Sequence, residues 1–335
     1  MNTPWGDLAV ADAHVHFFSR RFFESLAGQW GTPVGSPEGT LVSRPAGTAA
    51  GTPAGTPKGT PTGRSVEDLA AALTWQLPPA DPAGLGRAWA AELDRHGVGQ
   101  APLIASFPGD EASVAAAERA VPGRFWPYAM VNPLAGASAG PSSAGPAAGQ
   151  GMRALCLFPA MHCYSLHDPR AEPVLERAAA LRQTVFVHCG VLTVGVRRKL
   201  GLRSPFDMRF SNPLDLHAVA LRYPKTPFVV PHFGAGYFRE ALMLADLCPN
   251  VYLDTSSSNS WMRYEGLDLK TVFRRALAVA GPGRLLFGTD SSFFPRGWNR
   301  AVFEEQVGVL AELEVSAADA GRILGGNLRH ISSET

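Results

Sequence analysis

His14 and His16 stand one residue apart in ADAHVHFF. In an extended strand residues i and i+2 point to the same side, so both imidazoles can face one ion, with Asp12 in phase behind them. Three further polar residues each close a short apolar run: His188 in TVFVHCG, His232 in FVVPHFG and Asp290 in RLLFGTD. Zinc at a catalytic site takes three or four nitrogen and oxygen ligands and keeps a position for water. His14, His16, His188 and Asp290 form such a set, with His232 beside it. A single His at a strand end is more often a packed core residue, and an HxH pair alone is a weak signal. Separate strand ends that all deliver His or Asp to one face are harder to attribute to packing. Each buried polar group would otherwise need its own partner.

Such a convergence needs a scaffold whose strand ends open on one face, as they do in a closed parallel barrel. Eight strand-like runs alternate with helical patterns: 8–18, 101–107, 125–132, 153–160, 184–190, 228–234, 251–257 and 284–290. The fold class expected is α/β, a (β/α)₈ TIM barrel, with residues 1–335 forming a single barrel domain. No Gly-rich phosphate turn follows the first run, which speaks against an open dinucleotide-binding sheet. Two stretches break the rhythm. Residues 31–64 are rich in Gly, Thr, Pro and Ser, with GTPA-GTPK-GTPT repeating, and read as a low-complexity insertion after strand one. A lid over the site is the sharper reading of that insertion. Residues 135–150 stand where the third barrel helix belongs and read as a weak loop.

Composition removes several function classes. Thirty basic and 29 acidic side chains leave a formal charge of +1, with no Lys/Arg stripe suited to nucleic acid. No apolar run approaches the roughly 18–20 residues of a membrane span. The first residues show no secretory pattern, and the four cysteines show no CxxC spacing, which suits a reducing cytoplasm. The expected partner is a small-molecule substrate, not nucleic acid or membrane, with a homo-oligomer left open.

The remaining candidates carry less. Asp254, ending VYLD, reads equally as a loop-fixing acceptor or a catalytic group, and Asp12 as a structural acceptor. His96, His217 and His330 fall in helical patterns, while His162 and His167 follow strand four on the catalytic side. Lysine occurs only at 58, 199, 225 and 270, and Cys156 occupies the middle of strand four. With no lysine at a strand end to bridge two metals as a carboxylated lysine, one metal ion is expected, and the same absence weighs against a Schiff-base mechanism. Arg197, Arg198, Arg203, Arg209, Arg239 and Arg296 follow strands five, six and eight. Each is a candidate clamp for a carboxylate or an ordinary surface residue. Phe17, Phe18, Phe233, Phe293, Phe294 and Trp298 suggest either a ring-containing substrate or packing beneath the loops.

DAHVH, VFVHCG, PHFGAG, LLFGTDSSF and GGNLRHI together resemble the amidohydrolase-related TIM-barrel family that includes aminocarboxymuconate-semialdehyde decarboxylase and the pyrone-dicarboxylate lactonases. The resemblance runs from about residue 8 to 332, omitting 31–64 and 135–150. It implies a TIM barrel of the metal-dependent hydrolase type, with metal ligation by His14, His16, His188 and Asp290 and a catalytic role for His232. One departure concerns strand four, where many members end in a KLHP-like motif and this chain reads CLFP at Cys156–Pro159.

Two reactions fit. The first is hydrolysis of a lactone, ester or amide through metal-activated water, Asp290 accepting the water proton and His232 polarising the carbonyl. The alternative is non-oxidative decarboxylation of an aromatic or dienoic acid. A third, non-enzymatic reading is an inactive barrel kept for binding, against which the complete ligand set argues. One divalent metal is expected, zinc first, with Mn, Fe or Co accepting similar ligands.

Overall fold

A parallel sheet curls in the computed structural model until its first and last strands meet. The structure describes residues 1–30, 64–135, 151–256, 259–292 and 296–333. The insertion expected over 31–64 and the loop over 135–150 lie outside these residues, apart from Arg64 and Ala135. A small antiparallel hairpin, β1 (Asn2–Thr3) and β2 (Gly6–Asp7), precedes the barrel. The barrel strands are β3 (Val15–Phe17), β4 (Ala101–Ala105), β5 (Phe125–Val131), β6 (Ala154–Leu157), β7 (Thr184–Val187), β8 (Phe228–Val230) and β9 (Val251–Asp254). Two short strands, β10 (Leu285–Leu286) and β11 (Ser291–Ser292), share the eighth position.

Every pairing from β3 to β9 is parallel and sequential, and β10 joins β9 while β11 joins β3. The eighth position therefore passes from one neighbour to the other. Between its two halves the Ala13 amide donates to the Phe287 carbonyl at 2.7 Å, which closes the barrel seam. This is the TIM-barrel architecture expected from the sequence. Strands such as TVFV and FVV are buried at every residue, because one face fills the barrel and the other meets the helices.

The first run expected, 8–18, begins well before its strand, whereas the others extend past theirs at the carboxyl end. Residues 159–162 form a helical turn and 231–234 a 3₁₀ turn, because the chain leaves the ladder just where it enters the site. The flanking helices start and stop on local chemistry. Pro82–His96 begins on Asp81, which caps Ala83 and Gly84, and ends at Gly97 in the left-handed region. Leu85, Trp89 and Leu93 on that helix repeat every four residues and are buried. Helix Arg20–Trp30, which the sequence pattern did not reveal, packs Phe23, Leu26 and Ala27 with Leu69, Leu73 and Val196 in a satellite cluster. Among the described residues no helix is long and apolar enough to cross a membrane.

Candidate metal centre and active site

The five residues read from sequence meet at the carboxyl ends of the strands. His14 immediately precedes β3 and is fully buried, and His16 lies within it. His188 follows β7 directly, His232 sits in the turn after β8, and Asp290 lies between β10 and β11. The His14 ring centroid is 5.1 Å from that of His16, 5.2 Å from His188 and 4.8 Å from His232. Asp290 Oδ1 stands 3.1 Å from His16 Nε2 and 3.9 Å from His14 Nε2. Ligand-capable atoms fall into two overlapping triads, each within 4.8 Å: His14, His16 and Asp290, and His14, His188 and His232. His14 belongs to both.

Backbone strain accompanies two of these positions. His232 and Asp290 have φ of +58° and +56°, a region that costs a non-glycine residue about 1–3 kcal/mol. Glycines support this geometry. Gly190, two residues beyond His188, has φ +85° and lies so close to the carbonyls of Gly234 and Ala235 that no Cβ would fit.

The donor set fits a divalent cation. His14 Nε2, His16 Nδ1 and both ring nitrogens of His188 are buried with no hydrogen-bond partner among the described residues. A buried ring nitrogen left without a partner is costly unless something binds its lone pair. Burial, reinforced by His14, His232 and His16, pushes His188 well below the usual histidine pKa, so its ring is neutral and its lone pair free. The same ring stacks on Phe158 at 3.8 Å, which fixes its plane. Burial works to raise the Asp290 carboxyl, but the His16 hydrogen bond and the surrounding imidazoles outweigh it and hold the group low.

Asp254 organises the second layer. Its Oδ2 accepts from His14 Nδ1 at 2.6 Å and from Ser256 Oγ at 2.9 Å, and its Oδ1 accepts from the Ser256 amide at 2.7 Å. Burial lowers the His14 pKa, yet the Asp254 charge and hydrogen bond override it and the net shift is upward. His232 Nδ1 lies 3.0 Å from both the carbonyl oxygen and Oγ of Ser256. A carbonyl only accepts, and the one hydroxyl proton of Ser256 is given to Asp254. His232 Nδ1 therefore carries the hydrogen, and Nε2 of the neutral ring keeps its lone pair. Burial, followed by the His14 charge, lowers the His232 pKa and favours that neutral form. Polarising a carbonyl from Nε2, the role read from sequence, would need a second proton on this ring.

Asp12 is the acceptor expected. It takes hydrogen bonds from the His14 amide at 2.8 Å, the Trp298 indole at 2.8 Å, and the amide and hydroxyl of Thr289. Burial raises its carboxyl to about 6, against the lowering effect of these donors. Asp254 and Asp12 are visible in the sequence without their partners, whereas Ser256 is not, because spacing carries no signal for it.

The remaining candidates are dispersed. His96 lies 3.4 Å from Glu92 and beside Trp298, and His167 is exposed near Asp215. His162 is buried with neither ring nitrogen partnered among the described residues, while its neighbour Met161 lines the cavity. Arg209 and Arg239 pair with Asp207 and Glu240 on the surface. Phe17, Phe233 and Trp298 belong to the core, and Phe293 and Phe294 lie outside the described residues. A cavity of about 410 Å³ opens over His16, His188, His232 and Asp290. Its aromatic wall consists of Phe18, Phe22, Trp75, Phe107, Phe158 and Phe206, of which sequence reasoning had named only Phe18.

A barrel with imidazoles and a carboxylate at its strand ends defines a class that comparison with known families makes specific. The amidohydrolase family model matches residues 11–329, and the chain belongs to that family. The protein fluG of Emericella nidulans is 36% identical over 85 residues, which is 25% of this chain and 10% of fluG. Among solved structures, 5-carboxyvanillate decarboxylase LigW from Sphingomonas paucimobilis superposes with a TM-score of 0.58 at 16% identity, over 98% of this chain and 99% of LigW. An amidohydrolase from Burkholderia multivorans with bound zinc superposes with a TM-score of 0.53 at 16% identity, over 97% of this chain and 99% of the other. At such identities the two structures share the fold. One of these structures is described as a decarboxylase and the other as an amidohydrolase.

Proposed function

We propose that this chain is a mononuclear metal-dependent hydrolase, one barrel domain over residues 1–335, that cleaves a C–O or C–N bond. The substrate is a lactone, ester or amide of a small, ring-containing, carboxylated molecule. The observation that carries the reading is the 3.0 Å contact between His232 Nδ1 and the Ser256 carbonyl, an acceptor that assigns the ring hydrogen to Nδ1 and leaves Nε2 as a proton acceptor. His14, His16, His188 and Asp290 would hold the ion, zinc first from the imidazole-rich set, with Mn, Fe or Co accepting the same donors. Such an ion polarises a carbonyl and lowers the pKa of water bound to it. His232 Nε2 takes the proton of the attacking water and returns it to the departing oxygen or nitrogen. Asp290, its carboxyl held low by the His16 hydrogen bond and the imidazoles, would hold the ion and orient the water. The aromatic wall receives the ring and excludes bulk water.

The second reading is non-oxidative decarboxylation, favoured by the three cations Arg197, Lys199 and Arg296 around an aromatic cavity, a setting for an aromatic acid. That reaction needs a proton delivered to carbon, and the neutral His232 ring has none on Nε2. The small-molecule site and the four free cysteines suit a cytoplasmic enzyme.

The test is to incubate zinc- or manganese-loaded protein with lactones, amides and aromatic acids. Acid formation with uptake of water supports the hydrolase. Carbon dioxide release without water consumption replaces it with the lyase. Metal analysis of folded His14→Ala and Asp290→Ala protein checks the ligand set, and full metal stoichiometry in either would overturn it.

A further inference from the structure

Arg197 differs from the other arginines near the cavity. It lies on the short helix Gly195–Lys199, is only 6% exposed, and lines the same cavity as the imidazoles. No carboxylate pairs with it among the described residues. Its Nη1 donates to Gln29 Oε1 at 2.5 Å, and its Nε and Nη2 share the Arg203 carbonyl at 3.2 and 3.1 Å. These three contacts use three of its five N–H groups and leave one on each terminal nitrogen. Both acceptors are neutral, so no negative charge among the described residues offsets the guanidinium. A buried cation ordinarily has a counter-ion, because desolvating it is costly.

The surroundings make the imbalance larger. Lys199 also lines the cavity, its ammonium 4.9 Å from the Trp75 ring centroid, as does Arg296, whose Nη2 lies 3.5 Å from the Asp290 carbonyl. Asp290 is the one carboxylate lining the cavity among the described residues, and the imidazoles already engage it. Gln29 lies on helix Arg20–Trp30, so Arg197 is held by a residue outside the barrel strands.

We propose that Arg197, with Gln29 holding its guanidinium and Lys199 on the same helix, forms an anion subsite in the cavity wall. It receives an acidic group on the substrate other than the one engaged at the imidazole cluster. The inference rests on the reading of this cavity as the substrate site. It deepens that reading to a ring compound with two separated polar ends, one reacting and one anionic. Arg197 is then a specificity-determining residue, and an uncharged substituent in the same place binds poorly.

The test uses unreactive probes, benzene-1,3-dicarboxylate and benzoate, titrated into zinc-loaded protein and followed by calorimetry. Arg197→Gln weakens the dicarboxylate about tenfold to a hundredfold and leaves benzoate binding unchanged. Arg197→Lys, which keeps the charge but loses the fork, falls between the two. Equal weakening of both probes, or no weakening of the dicarboxylate in either folded variant, overturns the subsite. Repeating the dicarboxylate titration after chelation separates the two readings. An Arg197 effect that survives without metal upholds the subsite even where the metal reading has failed. An effect that vanishes on chelation overturns the independent subsite.

Discussion

The His14 ring gives its Nδ1 hydrogen to Asp254 Oδ2 across 2.6 Å, and this one contact selects Nε2 as the nitrogen left for a metal. Carboxylate partners of this kind fix the ring and raise the basicity of the coordinating nitrogen. Asp254→Asn keeps the shape but weakens the acceptor, so metal affinity should fall about 10–100-fold with the fold intact. Competition with a chromophoric chelator measures this. An unchanged metal dissociation constant would reduce Asp254 to a loop tether.

His232 stands in a different relation to the ion. Its removal leaves the His14, His16 and Asp290 triad and His188 in place. His232→Ala should therefore retain full metal content while kcat falls by about 10²–10⁴, the usual worth of a general base, with KM little changed. Metal loss in this variant would make His232 a ligand instead. Undiminished turnover would remove it from the chemistry.

Much of this site was legible in the sequence because its signals are local. An HxH step in a strand and a polar residue closing an apolar run are visible in any extended segment, and barrel topology then brings the run ends together. What escaped depends on contacts far apart in the chain. Asp254 meets His14 across 240 positions, and Trp298 meets Asp12 across 286. No spacing rule reports such pairs. Ser256 is silent for another reason: its backbone carbonyl does part of the work, and every residue has one. Helix Arg20–Trp30 was hidden by its mixed pattern of two arginines, two phenylalanines and Gly28, although it supplies Phe22 and Gln29 to the cavity. The split of the eighth strand was hidden because Phe287–Asp290 belongs to neither ladder.

His162 makes stability depend on acidity. Burial lowers its pKa from 6.5 to about 4, and neither ring nitrogen has a partner among the described residues. Between these values the unfolded chain binds a proton that the folded chain refuses. Stability contributed by the neutral ring is thus present above pH 6.5 and declines as pH falls towards 4. The full loss from this group is about 3 kcal/mol. His162→Leu should unfold at nearly the wild-type urea midpoint at pH 7.5 and at a higher midpoint than wild type at pH 5. Parallel declines of the two proteins with acid would show that His162 does not contribute the effect.

Gly190 tests how the loop bearing His232 is held. Its φ of +85° and its contact with the Gly234 and Ala235 carbonyls exclude a side chain on two separate grounds. Gly201 has a similar φ of +68° but nothing within 4 Å of its would-be Cβ, so it isolates the backbone strain from the clash. Gly201→Ala should cost about 1–2 kcal/mol, the strain of a left-handed residue with a Cβ. Gly190→Ala should cost at least about 2 kcal/mol more, because backbone must move to admit the methyl group. That movement displaces the turn carrying His232, so turnover should drop further than the loss of folded protein explains. Urea unfolding gives the first comparison, and kcat per folded molecule gives the second. Equal stability of the two alanine variants would mean the Gly190 contact yields easily and does not hold His232 in place.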